Sequence, residues 1–161
     1  MDREHGFAVD VEWTGAREGG TTGYRAYSRD HEVRAAGKTH AIAGSAARPF
    51  HGELERWNPE EMLVAALAQC HLLSYLHVAT TERLVVVAYE DSATGTLRTE
   101  GLGGRLIEAT LRPVVTLAAH HDEGDARRAQ AAHARASELC FIANSVNFPV
   151  RHEPSIRIAG A

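Results

Sequence analysis

Two cysteines, Cys70 and Cys140, are the residues of this sequence best suited to chemistry. They lie far apart and form no CxxC pair, so a thioredoxin-type motif is absent. If both sulfurs reach one pocket, the natural interpretation is that one is a peroxidatic thiol and the other a resolving thiol. A peroxide then oxidises one thiolate to a sulfenic acid, and the second thiol condenses with it to a disulfide. The alternative is that Cys70 packs as a small apolar side chain, which is common for a free cysteine.

The segment that leads to Cys70 has the features of a sharply started helix. Asn58 is a good N-cap, Pro59 suits the first turn, and Glu61 follows the cap by three residues as in a capping box. The pattern predicts a helix over about 59–79 that is apolar on nearly all sides and carries Cys70 into the interior. Small sheets would have difficulty covering such a helix, which favours a dimer whose partner covers part of it.

An ionised Cys70 requires a nearby cation or hydrogen-bond donor. Arg25 and Arg29 are candidates because the alternation predicts that they share one face of a strand; the alternative is that both are exposed. Glu60 lies about 15 Å from Cys70 along a straight helix, at about 1.5 Å per residue, so contact between them needs a bridging residue. An arginine could bridge part of that distance. Glu60 could instead stabilise the helix dipole.

Ten histidines also suggest a metal hypothesis. The conceivable ligand sets are Cys70 and His71 with His77, and His120 and His121 with His133. No standard zinc spacing such as CxxC or HExxH is present, and no GxSxG elbow indicates a serine hydrolase. We therefore predict no metal site.

Composition restricts the broad class. The 161 residues suit a single domain over 1–161, with 44% hydrophobic and 24% charged residues. A net charge of −4 without a basic patch argues against nucleic-acid binding. Apolar runs such as Met62–Ala68 are too short to span a membrane. The charged N-terminus lacks an apolar stretch behind it, which predicts no signal peptide and a cytoplasmic protein whose cysteines are chemical rather than structural.

The order of elements predicts an α+β fold. A second helix is expected over about 124–138. Strands are expected over Phe7–Thr14, over Tyr24–Ser28 paired with Glu32–Ala36, over Thr39–Ala43, as a pair over Leu84–Glu90 and Gly95–Glu100, and over Arg105–Leu117.

The run Asn58-Pro59-Glu60-Glu61, the apolar helix to Cys70 and the distant Cys140 together resemble the OsmC/Ohr family of thiol peroxidases. The resemblance extends from about residue 7 to the end. It implies an OsmC-like fold in which antiparallel sheets surround long central helices in an intertwined homodimer.

The resemblance also implies roles. Cys70 would be the peroxidatic cysteine, Cys140 the resolving one, Arg25 the active-site arginine and Glu60 the carboxylate that holds it. Arg29 is the alternative to Arg25. The substrate would be an organic hydroperoxide and the reductant a dithiol, such as a lipoyl group, with no cofactor or metal.

The chain departs from the family pattern at two places. His71, a possible supporting residue, stands where an aromatic or apolar residue is common. Cys140-Phe141-Ile142-Ala143 replaces a Cys-Pro segment, and Tyr27–Glu32 resembles a less characterised subgroup. The alternative function is a non-catalytic small-ligand or metal-binding protein with the same fold.

Overall fold

The computed structural model describes residues 3–160 and has a mixed α+β architecture, as the sequence predicts. The chain divides into two compact units between Met62 and Leu63. The elements are β1 (Asp10–Trp13), β2 (His31–Arg34), β3 (Ile42–Gly44), α1 (Pro59–Thr81), β4 (Val86–Asp91), β5 (Thr94–Glu100), β6 (Gly103–Leu111), β7 (Pro113–Leu117), α2 (Glu123–Leu139), β8 (Val150–His152) and β9 (Ser155–Ile158).

The N-terminal unit is built on an antiparallel sheet in the order β1-β2-β3. The strand predicted over Tyr24–Ser28 is wrong, because this stretch forms turns. The main-chain N–H of Ala26 donates to the carbonyl of Gly23, and that of Ser28 to the carbonyl of Gly15. Arg25 and Arg29 therefore do not share a strand face.

The C-terminal unit contains two sheets, with strand orders β4-β7-β9 and β5-β6-β8. The predicted pairing of β4 with β5 is wrong: β4 pairs with β7, and β5 with β6, both antiparallel. The single strand predicted over 105–117 is two strands. Arg112 separates them because its N–H donates to the Asp91 carboxylate at 2.7 Å, and Pro113 has no N–H to continue the ladder.

Helix α1 starts as the capping pattern predicts. The Asn58 side-chain oxygen accepts from the Glu61 N–H at 2.8 Å, and the Glu61 carboxylate accepts from the Asn58 N–H at 3.5 Å. One face of the helix is buried, through residues spaced three or four apart: Leu67, His71, Tyr75 and Val78. Cys70 lies beside that face and is half-buried, so it is more accessible than the sequence predicts.

Helix α1 has 23 residues, and its 18-residue window of highest hydropathy has a mean value of 1.5. Inside the protein, 28% of that window is buried. By length and composition alone the helix could cross a membrane, which corrects the expectation that the apolar runs are too short. The central helix of a globular fold meets the same two criteria, so they do not identify a membrane protein.

Helix α2 packs against α1 through small side chains. Asp122 caps its start by accepting from the Asp125 N–H at 2.9 Å. The alanines of α2 let the helix approach Tyr75, whose hydroxyl donates to the Ala129 carbonyl at 3.1 Å. The resulting core consists of Tyr75, Val78, Ala79, Leu84, Val115, Leu117, Ala129, Ala132 and Ala136.

Candidate active site

The two cysteine sulfurs accept hydrogen bonds from adjacent amides of one turn. The Ile142 N–H donates to Cys70 Sγ at 3.4 Å, and the Ala143 N–H donates to Cys140 Sγ at 3.4 Å. This turn follows the end of α2, where Cys140 is the C-cap. The chain therefore brings together two thiols that are distant in the sequence, one on α1 and one at the end of α2, and both are free.

The environments of the two sulfurs differ. Cys140 is 1% exposed, whereas Cys70 is half-buried. Burial, together with a hydrogen bond to Cys70, raises the pKa of the Cys140 thiol to about 11, against lowering contributions from the amides of Ala143 and Ile142. Cys140 therefore stays a neutral thiol beside the more accessible sulfur.

Further hydrogen bonds brace the turn. The Asn144 N–H donates to the Cys140 carbonyl at 3.1 Å, and the Asn144 side-chain amide donates to the Glu138 carbonyl at 3.0 Å. The Ser145 hydroxyl donates to the Phe141 carbonyl at 2.7 Å. Apolar packing adds to this, because Ile142, Ala143 and other partly buried side chains lie against a small core of Leu67, Ala109 and Leu111.

In the N-terminal unit, Arg29 is held in one orientation. Its guanidinium lies 4.6 Å from the ring centre of Tyr24 and 4.4 Å from that of Tyr27. It also donates to the main-chain carbonyls of Tyr27 and Tyr24, at 2.9 and 2.6 Å. Stacking between two aromatic rings fixes the guanidinium, so less conformational entropy is lost when it binds another group.

Arg29 and Glu60 line one cavity of about 370 Å³, with Phe50 and Pro59 among its apolar walls. Arg25 is exposed and does not line it. Of the two sequence candidates, the structure thus places Arg29 at the same cavity as the predicted carboxylate.

His31 and Ser45 also line this cavity. Nδ1 of the His31 ring lies 2.9 Å from the Arg29 carbonyl oxygen, which can only accept, so Nδ1 is the donor in this hydrogen bond. The ring Nε2 lies so close to Gly44 that a Cβ there would meet it at 2.2 Å, so any larger residue at position 44 would have to displace the His31 ring. Ser45 is fully buried and donates to the Asp30 carboxylate at 3.1 Å, which fixes the backbone next to Arg29.

His71 faces a cluster of histidines. Its Nε2 lies 2.9 Å from Nδ1 of His133, and its ring centre lies 4.2 Å from that of His152. Burial lowers the pKa of His71 to about 3, with smaller contributions from His152 and His133. Burial likewise lowers the pKa of His133 to about 4. Both rings are therefore neutral at physiological pH.

The histidine sets considered as metal ligands do not assemble in the described residues. Residues 3–160 contain no group of three or more His, Cys, Asp or Glu side chains that could hold a metal ion. His121 has a structural position instead: its Nε2 accepts from the Val85 N–H at 2.9 Å, and its Nδ1 lies 2.7 Å from the Asp125 carboxylate.

Sequence reasoning missed His31, His152 and the Ile142 amide, and it considered His133 only as a metal ligand or a packing residue. The three histidines carry no spacing signal, because their neighbours come from other elements. Every residue except proline has an N–H, so no pattern could mark the one at position 142.

Comparisons with known proteins agree on one family. The family model described as OsmC-like protein matches residues 51–155. The chain is 30% identical to an OsmC-like protein of unknown function from Vibrio cholerae, with a TM-score of 0.81 over 94% of this chain and 99% of the other.

Two more distant structures share the fold. An organic hydroperoxide resistance protein from Legionella pneumophila is 18% identical, with a TM-score of 0.69 over 97% of this chain and 99% of that one. Another, OhrB of Bacillus subtilis, is 17% identical, with a TM-score of 0.59 over 94% and 98%. No curated protein matches the chain.

Proposed function

Because the chain belongs to the OsmC-like protein family, we propose that it is a cysteine-based peroxidase that reduces organic hydroperoxides. The observation that carries the proposal is the placement of both sulfurs on adjacent amides of one turn. Organic hydroperoxide resistance proteins from Legionella pneumophila and Bacillus subtilis share the fold, which supports the substrate class.

The first step oxidises Cys70. Its thiolate attacks one oxygen of the hydroperoxide, a sulfur–oxygen bond forms, and the oxygen–oxygen bond breaks. The alkoxide leaves and takes up a proton to become the alcohol, while Cys70 becomes a sulfenic acid. Cys70 suits this role because it is the more accessible of the two sulfurs.

The second step uses Cys140. Its sulfur attacks the sulfenic sulfur of Cys70, forming the disulfide, and the hydroxyl leaves with the Cys140 proton as water. A thiol whose pKa is raised to about 11 remains protonated, and thus unreactive toward the peroxide, until a sulfenic acid forms beside it. An external dithiol, which we expect to be of the lipoyl type, then reduces the disulfide.

The resolving step can be tested with Cys140→Ser. We expect this variant to consume one equivalent of an organic hydroperoxide and then stop, because the sulfenic acid has no intramolecular thiol to condense with. A sulfenic acid on Cys70, trapped with dimedone and located by mass spectrometry, is the expected product. Continued turnover at the wild-type rate with a dithiol would rule out Cys140 as the resolving residue.

The role of a guanidinium toward Cys70 is a prediction from the family resemblance. We propose Arg29 rather than Arg25, because Arg29 is held by two rings and shares a cavity with Glu60. Arg29→Met should lower kcat/KM for the hydroperoxide by about 100-fold, the typical effect of losing one preorganised donor. Arg25→Met is the matched control, and a larger loss in that variant would reverse the assignment.

We propose that a second copy of the chain covers the apolar side of α1, as the family resemblance implies. Leu73 is 67% exposed and Leu76 is 37% exposed in the single chain, and the neighbouring Val85 and Val87 are also exposed. A large unpartnered apolar surface is typical of an interface.

If two copies associate through this side of α1, Leu73→Lys should weaken the dimer. A charge in the interface should weaken association by at least about 2 kcal/mol, because the ammonium loses its hydration without a partner. Light scattering during size-exclusion chromatography should then show monomer at concentrations where the wild type is dimeric. Leu102→Lys is the control, since Leu102 lies fully exposed at the β5–β6 turn; equal masses for all three proteins would contradict the interface.

A further inference from the structure

We infer that the main-chain N–H of Ile142 is a catalytic group, which holds the reacting sulfur of Cys70 in its ionised form. The inference rests on the proposed function, since it assigns a donor to the sulfur that attacks the hydroperoxide. The amide nitrogen lies 3.4 Å from Cys70 Sγ, within hydrogen-bonding distance of a sulfur. A hydrogen bond to a charged acceptor is stronger than one to its neutral form, so this contact favours the thiolate over the thiol.

The position of this amide suits both steps of the reaction. The Ile142 N–H donates to Cys70. It also lies close enough to Cys140 to lower the pKa of that thiol, against the larger rise that burial causes. The following amide, of Ala143, donates to Cys140. The Ile142 N–H is therefore near the attacking sulfur before oxidation and near both sulfurs when they join.

The donor is preorganised. The carbonyls of Glu138 and Cys140 hold Asn144, and the Ser145 N–H donates to the Ile142 carbonyl at 3.0 Å. A donor that is already fixed costs no reorganisation when charge develops on its acceptor. Ile142 also packs against the apolar core that includes Leu67, and the poorly hydrated surroundings strengthen a charged hydrogen bond. Asn144 is a positioning residue in this arrangement.

An amide-to-ester exchange at position 142 removes the donor with little change of shape. The segment 140–161 can be synthesised and joined to residues 1–139 by ligation at Cys140 itself, which leaves no foreign residue at the junction. The protein made in the same way with the normal amide is the first control. An ester at Ser145 is the second, because it breaks a bond within the turn but keeps the donor to Cys70.

The readout is alkylation of Cys70 by iodoacetamide, measured by mass spectrometry across a pH series in the reduced proteins. We expect the ester at 142 to slow alkylation at neutral pH roughly tenfold and to move the midpoint of the pH profile upward, as loss of one charged hydrogen bond predicts. The ester at Ser145 should keep the profile of the amide protein. Identical profiles for the amide and the ester at 142, or an equal shift in the Ser145 ester, would overturn the inference.

A genetically encoded variant gives an independent measurement if the ester protein does not fold. Ile142 has φ −69°, which proline adopts, so Ile142→Pro removes the N–H with little backbone strain at that residue. Ile142→Ala is its control, because it shortens the side chain and keeps the N–H. We expect the alkylation profile to shift in the proline variant alone, and equal profiles in the two variants would count against the inference.

Alkylation needs no hydroperoxide, so this experiment separates the two proposals. A shifted profile in a protein that does not consume hydroperoxide would overturn the peroxidase function and leave the role of the amide in ionising Cys70. An unchanged profile in an active peroxidase would overturn the role of the amide alone.

Discussion

Replacing Cys70 by serine is expected to reduce the rate of hydroperoxide consumption by at least about 1,000-fold, because a serine hydroxyl is not ionised at neutral pH and is a poor nucleophile. The substitution changes one atom of a half-buried side chain, so the fold should persist. Stopped-flow mixing of the reduced variant with an organic hydroperoxide, followed by titration of the remaining peroxide, measures the loss.

The Cys140→Ser variant is the matched control, because it makes the same atomic change at the other sulfur. It should react at a rate near that of the wild type during the first equivalent. A Cys70→Ser protein that consumes hydroperoxide as fast as the wild type would show that Cys70 is not the attacking group. A fast first turnover in Cys70→Ser and none in Cys140→Ser would exchange the two roles.

The second large effect concerns stability in mild acid. His71 and His133 are neutral in the fold, with pKa values lowered to about 3 and about 4, chiefly by burial. Each ring has one nitrogen that lies buried without a partner among residues 3–160, so a protonated ring would have an unsatisfied donor. The unfolded chain binds these protons near the ordinary histidine pKa of 6.5, and the folded protein does not until much lower pH.

The free energy of unfolding should therefore fall as the pH drops below 6.5, and it should continue to fall until the folded rings protonate near pH 4 to 3. Two such groups predict a loss of roughly 2–4 kcal/mol between pH 6.5 and 5, where most carboxylates have not yet titrated. Burial also lowers the pKa of His152, which contacts His71, so its contribution has the same sign. Urea unfolding at one protein concentration over this range measures the slope.

A pair of glutamine variants tests whether these rings cause the slope. His133→Gln removes one titrating group, and the glutamine amide can still form a hydrogen bond with His71. The free energy of unfolding should therefore fall less steeply as the pH drops. His77→Gln is the control on α1, because His77 is exposed. Equal slopes in the wild type and both variants would show that the acid response comes from other groups.

Local signals predicted the parts of the site that lie within one element. The capping box at Asn58 and Glu61, the helix that follows and the position of Cys70 on it depend on residues within a few turns of each other. The two helices and the α+β fold class follow from the periodicity of apolar residues, which can be read directly from the sequence.

The errors arise where distant segments decide the outcome. The alternation in β4 and β5 predicts strands but not partners, and each pairs with a later strand rather than with the other. Tyr24–Ser28 alternates like a strand, yet turn hydrogen bonds and stacking around Arg29 set its conformation. His71 meets His133 from another helix, a contact that no local spacing encodes.

The covalent state of the two sulfurs after one turnover tests the central claim most directly. The reduced protein is mixed with one equivalent of an organic hydroperoxide, the remaining thiols are blocked, and the peptides are analysed by mass spectrometry without reduction. We predict that one peptide pair contains Cys70 joined to Cys140 within the same chain, with the hydroperoxide converted to its alcohol. Two blocked thiols with the hydroperoxide intact, or Cys70 joined only to the Cys70 of a second chain, would contradict the account.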